Sequence, residues 1–184
     1  HTLTAKDASG YKTAAGKAIT VVTPGQSHTP GPNGAPSDDA SGTVVASITT
    51  SDGADTVTLN ITGKADGGTV CRDLDDGQPH QSTGTSSGLT YVETVIATCE
   101  GTYKGGKLTY TETVSSDKVE LEGGYVCQAT KPYILRHLEG TFTDKATVNG
   151  TFSSDAVTIT CNKGLGSNNT AAGNGTWTGA ASMQ

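Results

Sequence analysis

From Thr43 onward, apolar and polar residues alternate in short runs separated by turn-forming pairs, a period of two that fits strands and not helices. No 11-residue window keeps its apolar residues at helical spacing. Abundant Thr and Val suit pleated, half-buried strands, and 25 Gly with many Ser supply the turns between them. Turn chemistry then sets registers. Asp52-Gly53, read as a two-residue hairpin turn, places Ile48 opposite Val57, Ala46 opposite Leu59 and Val44 opposite Ile61, all on one face, with Thr56, Thr58, Asn60 and Thr62 on the other. Gly105-Gly106 likewise pairs Tyr103 with Leu108, Gly101 with Tyr110, Cys99 with Glu112 and Ala97 with Val114. A second turn at Ser115-Ser116 would bring Val119 opposite Glu112 and Leu121 opposite Tyr110. Ser154-Asp155 would pair Phe152 with Val157 and Val148 with Cys161, and an Asp144-Lys145-Ala146 loop would join that hairpin to a strand carrying Ile134, Leu138 and Phe142.

A short motif recurs within this pattern: Gly101-Thr102-Tyr103, Gly140-Thr141-Phe142, Gly150-Thr151-Phe152 and Gly175-Thr176-Trp177. Glycine beside an inward aromatic lets a strand bend while the ring fills the space, a device of sheets that curl into barrels or sandwiches. The expected fold is therefore all-β, an antiparallel meander forming a barrel or two-sheet sandwich. Its up-and-down topology is similar to avidin-like and lipocalin-like proteins as loose analogues. An avidin-type site implies an aromatic box, which the single tryptophan, Trp177, does not supply.

Four cysteines, Cys71, Cys99, Cys127 and Cys161, are spread widely without a Cys-x-x-Cys pair, which favours structural disulfides over zinc or redox chemistry. In the register above, Cys127 falls near the level of Lys104, across an intervening strand and roughly 26 Å from Cys99. A bridge needs Cα atoms within about 7 Å, so that pairing and its complement drop out. Of the other two connectivities, Cys71 with Cys99 and Cys127 with Cys161 closes the shorter loops. Disulfides point to a secreted or cell-surface location. Four sequons, at Asn60, Asn149, Asn168 and Asn174, add weak support for a glycoprotein. A net charge of −6 with 12 Lys plus Arg argues against nucleic acid, and no apolar run approaches the length of a membrane span. The chain opens on His1, so its true start is expected to have been removed.

Three regions are expected. Residues 1–23 read as a hairpin that turns at Asp7-Ala8-Ser9-Gly10 and ends in Ala18-Ile19-Thr20-Val21-Val22-Thr23. This stretch resembles the last two strands of bacterial immunoglobulin-like repeats found in tandem on surface proteins. The resemblance covers about an eighth of the chain. Residues 24–42 hold four of the six prolines among Gly, Ser, Asn and Asp, and read as a semi-extended linker. Residues 43–184 form the disulfide-containing β domain.

Glu93, Glu112 and Arg136 fall in phase with inward apolar neighbours, and Tyr91, Tyr110 and Tyr125 lie around them. Two carboxylates near one guanidinium make a polar floor that would take a sugar or small ligand. An inward Glu also finds an Arg for purely structural reasons, and an error of phase would leave all three in water. The Asp73-Leu74-Asp75-Asp76-Gly77 run offers Asp73, Asp75 and Asp76 as hard ligands for calcium, without the full EF-hand pattern; otherwise it is a solvated acidic turn, and no other cofactor is expected. His1, His28, His80 and His137 lack metal spacing, and no Gly-x-Ser-x-Gly elbow occurs. Cys127-Gln128 does not suit a thioester, because neighbours on a strand point to opposite faces.

The leading expectation is a non-catalytic extracellular surface module acting in adhesion, in structural assembly such as a surface layer or filament, or in glycan binding. Its partners would be a glycan, a protein surface, or copies of itself joined by strand addition. The alternatives are a small-ligand-binding barrel and a secreted carboxylate-dependent hydrolase.

Overall fold

The computed structural model describes residues 30–50 and 53–184; the expected hairpin at 1–23 and the start of the linker lie outside the described residues. The first half of the described chain forms β1 (Gly42–Thr50), β2 (Gly53–Thr62), β3 (Gly68–Cys71), β4 (Asp76–Ser86), β5 (Leu89–Lys104) and β6 (Lys107–Leu121). The second half forms β7 (Tyr125–Ala129), β8 (Tyr133–Phe142), β9 (Thr147–Ser154), β10 (Val157–Cys161), β11 (Ser167–Thr170) and β12 (Gly173–Met183). Strands β1, β2, β3, β5, β6, β8, β9 and β12 pair antiparallel in that order. Because β12 returns to β1, they close an eight-stranded up-and-down barrel. The remaining strands are excursions from it. The long hairpin of β5 and β6 runs past the barrel mouth, and its overhang pairs with β4 on one side and β7 on the other, with β10 and β11 continuing beyond β7.

The Gly105-Gly106 turn sets its hairpin as expected: Tyr103 faces Leu108, Gly101 faces Tyr110, Cys99 faces Glu112 and Ala97 faces Val114. The loop between β8 and β9 also forms, with Phe142 opposite Val148. Three other registers differ. In the first hairpin Thr50 pairs with Gly53, and Val44 meets Leu59, Ala46 meets Val57 and Ile48 meets Asp55. A slip of two leaves the pleat unchanged, so all six expected residues are still buried. Ser115-Ser116 does not turn the chain. Val119 faces Glu93 and Leu121 faces Tyr91, because β6 continues straight and absorbs Ser115 as a β-bulge between the Ala97–Val114 and Ile96–Ser116 pairs. Two serines lack the positive-φ preference that a two-residue hairpin requires. Nor does Ser154-Asp155 form a hairpin: Phe152 pairs with Leu138 and Gly175, and β10 leaves to join β7. Asp155 instead anchors β8, accepting the Ile134 N–H at 2.9 Å and donating its own N–H to the Ile134 carbonyl.

The barrel is filled by side chains. Trp177, Tyr103, Tyr110 and Phe142 are among its largest fully buried groups, packed with Leu59, Leu108, Leu138, Val44 and Val148. The recurring Gly-Thr-aromatic motif explains how they fit. Trp177 stands opposite Gly150, Phe152 opposite Gly175, Tyr110 opposite Gly101 and Tyr103 opposite Gly68. At Gly140 a Cβ would sit 2.5 Å from Trp177 Cζ2, so the indole occupies the space a side chain would take.

Residues 30–41, the part of the Pro/Gly-rich stretch that is described, pack against the end of the barrel at the Gly105-Gly106 turn. Ala35 and Ala40 are buried, the Tyr103 hydroxyl donates to the Pro36 carbonyl at 2.5 Å, and the Gly105 N–H donates to Asp38 Oδ1 at 2.6 Å. Burial, with the nearby Asp38 carboxylate, pushes the Tyr103 hydroxyl up to about 12, so it remains a donor. The other end stays open beneath the overhanging sheet.

Both disulfides form as expected, Cys71–Cys99 and Cys127–Cys161. The excluded pairing is excluded for a different reason than the register suggested. Cys127 lies opposite Val119, at the level of Glu93, so it sits beyond Cys99 on the overhang instead of beside Lys104. Cys127 and Cys161 are a direct cross-strand pair.

Candidate binding cleft at the barrel mouth

Where β5 and β6 leave the barrel, Ala97, Val114 and Tyr133 form a second small core under the outer sheet. Beside it opens a cleft of about 430 Å³, walled by β4, β5, β6 and β8 and by the loop that follows β3. The bulge at Ser115 creates its far wall. Before it, the even residues Tyr110, Glu112 and Val114 point inward; after it, Asp117 shares their side, opposite Val95.

The floor is a charged network. Glu112 is 2% exposed and receives Arg136 Nη1 at 2.5 Å, Arg72 Nη1 at 3.0 Å and the Tyr110 hydroxyl at 3.2 Å. Arg136 also reaches Asp55 Oδ2 through Nη2, at 2.7 Å. Burial works against the Arg136 charge, but the Glu112 and Asp55 carboxylates outweigh it and hold its pKa above the usual value. The Tyr110 hydroxyl donates to Asp75 Oδ2 at 2.5 Å. Burial raises the pKa of Asp75; the Glu112 charge adds to this, while the Tyr110 hydrogen bond and Arg72 oppose it. Burial, then the bond to Asp75, also raises Tyr110, which stays neutral.

Two acceptors on residues that line the cleft are left over. Asp75 Oδ1 and Asp117 Oδ1 are buried and have no hydrogen-bond donor among the described residues; Arg72 Nη1 is 3.9 Å from the first. Asp117 Oδ2 accepts from the Tyr133 hydroxyl at 2.9 Å, and burial with this carboxylate raises the Tyr133 pKa. Glu93, half-buried, accepts from Ser82 Oγ at 3.1 Å on the upper wall. The apolar lining comes from Val95, Tyr133, Leu135 and Leu74, the last about half exposed at the rim. With four carboxylates against two guanidiniums already engaged by Glu112, the lining carries net negative charge.

The structure thus brings Glu93, Glu112 and Arg136 to one cleft, with Tyr110 beneath it. It does not bring Tyr91 or Tyr125 there. Tyr91 lies farther out on the overhang, opposite Leu121, and Tyr125 packs under Lys163 Nζ, 5.1 Å from its ring centre. Arg72, Asp55, Asp117 and Tyr133 join the cleft and its charged network without a signal in the sequence pattern. Arg72 and Asp55 approach Glu112 and Arg136 from distant segments, and Asp117 becomes inward only through the bulge. The acidic run divides its work: Asp73 accepts from Asn60 at 2.8 Å, Asp75 turns into the cleft floor, and Asp76 pairs with His80 at 2.8 Å. Among the described residues no group of three or more His, Cys, Asp or Glu side chains is arranged to hold a metal ion. Of the sequon residues, Asn149, Asn168 and Asn174 are exposed, and Asn60 is half-buried against Asp73.

No helix among the described residues is long and apolar enough to cross a membrane. No protein-family model, curated protein or solved structure matches the chain.

Proposed function

We propose that the chain is a non-catalytic extracellular surface module that binds a glycan in the cleft at the barrel mouth. The observation that carries this reading is a pair of buried carboxylate oxygens without a donor among the described residues, Asp75 Oδ1 and Asp117 Oδ1, on side chains that line a half-apolar cleft. A buried acceptor without a partner is costly, and a ligand bearing hydroxyl or amine donors relieves that cost. Sugars present vicinal hydroxyls beside apolar ring faces, which matches carboxylates set next to Tyr133, Leu135 and Leu74. Net negative lining disfavours acidic sugars. The solid barrel interior turns ligand binding away from the lumen, and the two disulfides support a secreted setting.

Calorimetric titration with neutral, amino-bearing and uronic-acid oligosaccharides tests the reading. Neutral or amino-bearing sugars should bind and uronic acids should not. Asp117→Asn should weaken binding about tenfold, as expected for a lost hydrogen bond to a charged acceptor. Preference for uronic acids, or silence with every sugar, would overturn it.

One observation favours a second reading, hydrolysis: Asp75, its pKa raised by burial, shares the cleft with the carboxyl groups of Asp117 and Glu93. Release of reducing ends that Asp75→Asn abolishes would replace the binding reading with this one. Self-assembly remains the structural alternative, through the outer sheet's edges at β4 and β11, each paired on one side among the described strands.

A further inference from the structure

Resting on the glycan reading of the cleft, we infer that its ligand is a chain of several sugar units, of which only one end enters the cleft while the next units lie along the overhanging sheet on Tyr91. The sheet face that lines the cleft does not end there. Past Val95 and Asp117, the same face continues through Glu93 and Val119 to Tyr91 and Leu121. A second hollow, of about 460 Å³, occupies this stretch, and Glu93 lines both it and the cleft. From the Val95–Asp117 pair to the Tyr91–Leu121 pair is four residues of strand, about 13 Å.

Tyr91 is laid out as a platform. It stands opposite Gly84 on β4, and a Cβ at Gly84 would meet Tyr91 Oη, Cζ and Cε1 at 2.6, 2.7 and 2.8 Å. The ring therefore rests across the neighbouring strand where a side chain is missing, and it remains half-exposed. In the barrel, glycines receive rings that are buried on every side. Gly84 receives one with no layer above it among the described residues. The floor beside it is apolar, formed by Val119, Leu121 and Cys127, which suits the ring face of a sugar and leaves hydroxyls to Glu93. A single sugar would use the cleft alone; continuity through Glu93 joins the two hollows into one track.

The test is calorimetric titration of the full chain with neutral β-linked glucose and xylose oligomers and with glucosamine oligomers, each from one to six units. Affinity should rise roughly tenfold or more between one unit and four and then level off. Tyr91→Ala should remove about tenfold of affinity for the hexamer and leave that for the monomer unchanged. Tyr91→Leu keeps apolar bulk on Gly84 and should show the same loss, which separates stacking from support of the sheet. Asp117→Asn should weaken monomer and hexamer alike. Equal affinity for one unit and six, or a hexamer indifferent to both Tyr91 variants, overturns the track while leaving the cleft reading standing. Silence with every sugar overturns both. So does a sedimenting dimer in which Tyr91 loses its solvent access, since the face then belongs to a second copy.

Discussion

The barrel and its overhanging sheet share two long strands, β5 and β6, and differ in what covers them. In the barrel, each inward side chain meets others from across the lumen, and large rings fit because glycines stand opposite them. On the overhang, the same face has no second layer among the described residues beyond Ala97, Val114 and Tyr133, so carboxylates and half-buried apolar groups share it. One hairpin thus serves as barrel interior and as the wall of an open cleft. Closure removes water at one end, and its absence leaves a hollow at the other.

The largest test of this contrast is Trp177→Ala. The indole fills the space beside Gly140 and donates Nε1 to the Glu139 and Thr151 carbonyls, both at 3.1 Å. Its loss should cost about 3–5 kcal/mol in urea unfolding and unfold the barrel and overhang together. A loss below about 1 kcal/mol would mean that the barrel repacks and is not the rigid half. The disulfides give a mid-sized test. Replacing Cys71 and Cys99 by Ser should lower global stability by about 2–4 kcal/mol, because they tie two barrel strands. Replacing Cys127 and Cys161 should speed amide exchange in β7, β10 and β11 and leave barrel amides protected. Equal exchange in both halves would erase the distinction.

The smallest effect sharpens it. Burial places the folded pKa of Asp75 above its unfolded value, so the native state holds its proton more tightly and this carboxylate lowers stability as pH rises through that window. Asp75→Asn removes the dependence while keeping an oxygen for Tyr110. The variant should be at least as stable as the parent at pH 7, with the difference shrinking toward about pH 4. A parent that gains on the variant as pH rises would show that the floor is tuned for charge.

Much of the barrel was readable because its signals are local and repeated. Gly105-Gly106 permits one tight turn, so four cross-strand pairs follow from it, and six alternating residues of the first hairpin stay buried even under a slipped register. The overhang was less readable. β4 and β11 carry almost no apolar residues, so nothing in their pattern says that they are strands or where they pair. Ser115-Ser116 resembles a turn in composition and is a bulge in fact, which misplaced Val119 and Leu121 and concealed Asp117. Glu93, Glu112 and Arg136 could be named from phase, whereas Arg72, in the loop after β3, and Asp55, on β2, reach Glu112 and Arg136 from 40 and 81 residues away, a closeness that only the closed barrel creates.

The bulge at Ser115 acts on parity. One extra amino acid in an otherwise regular strand exchanges inside and outside for everything that follows, so Asp117, Val119 and Leu121 look toward the cleft side while Lys118 and Glu120 look away. Were the bulge flattened with Ser115 drawn into the ladder, a lysine would stand where an aspartate now waits and the sign of the wall would reverse; deleting that serine instead would leave a regular strand with Asp117 still facing the cleft.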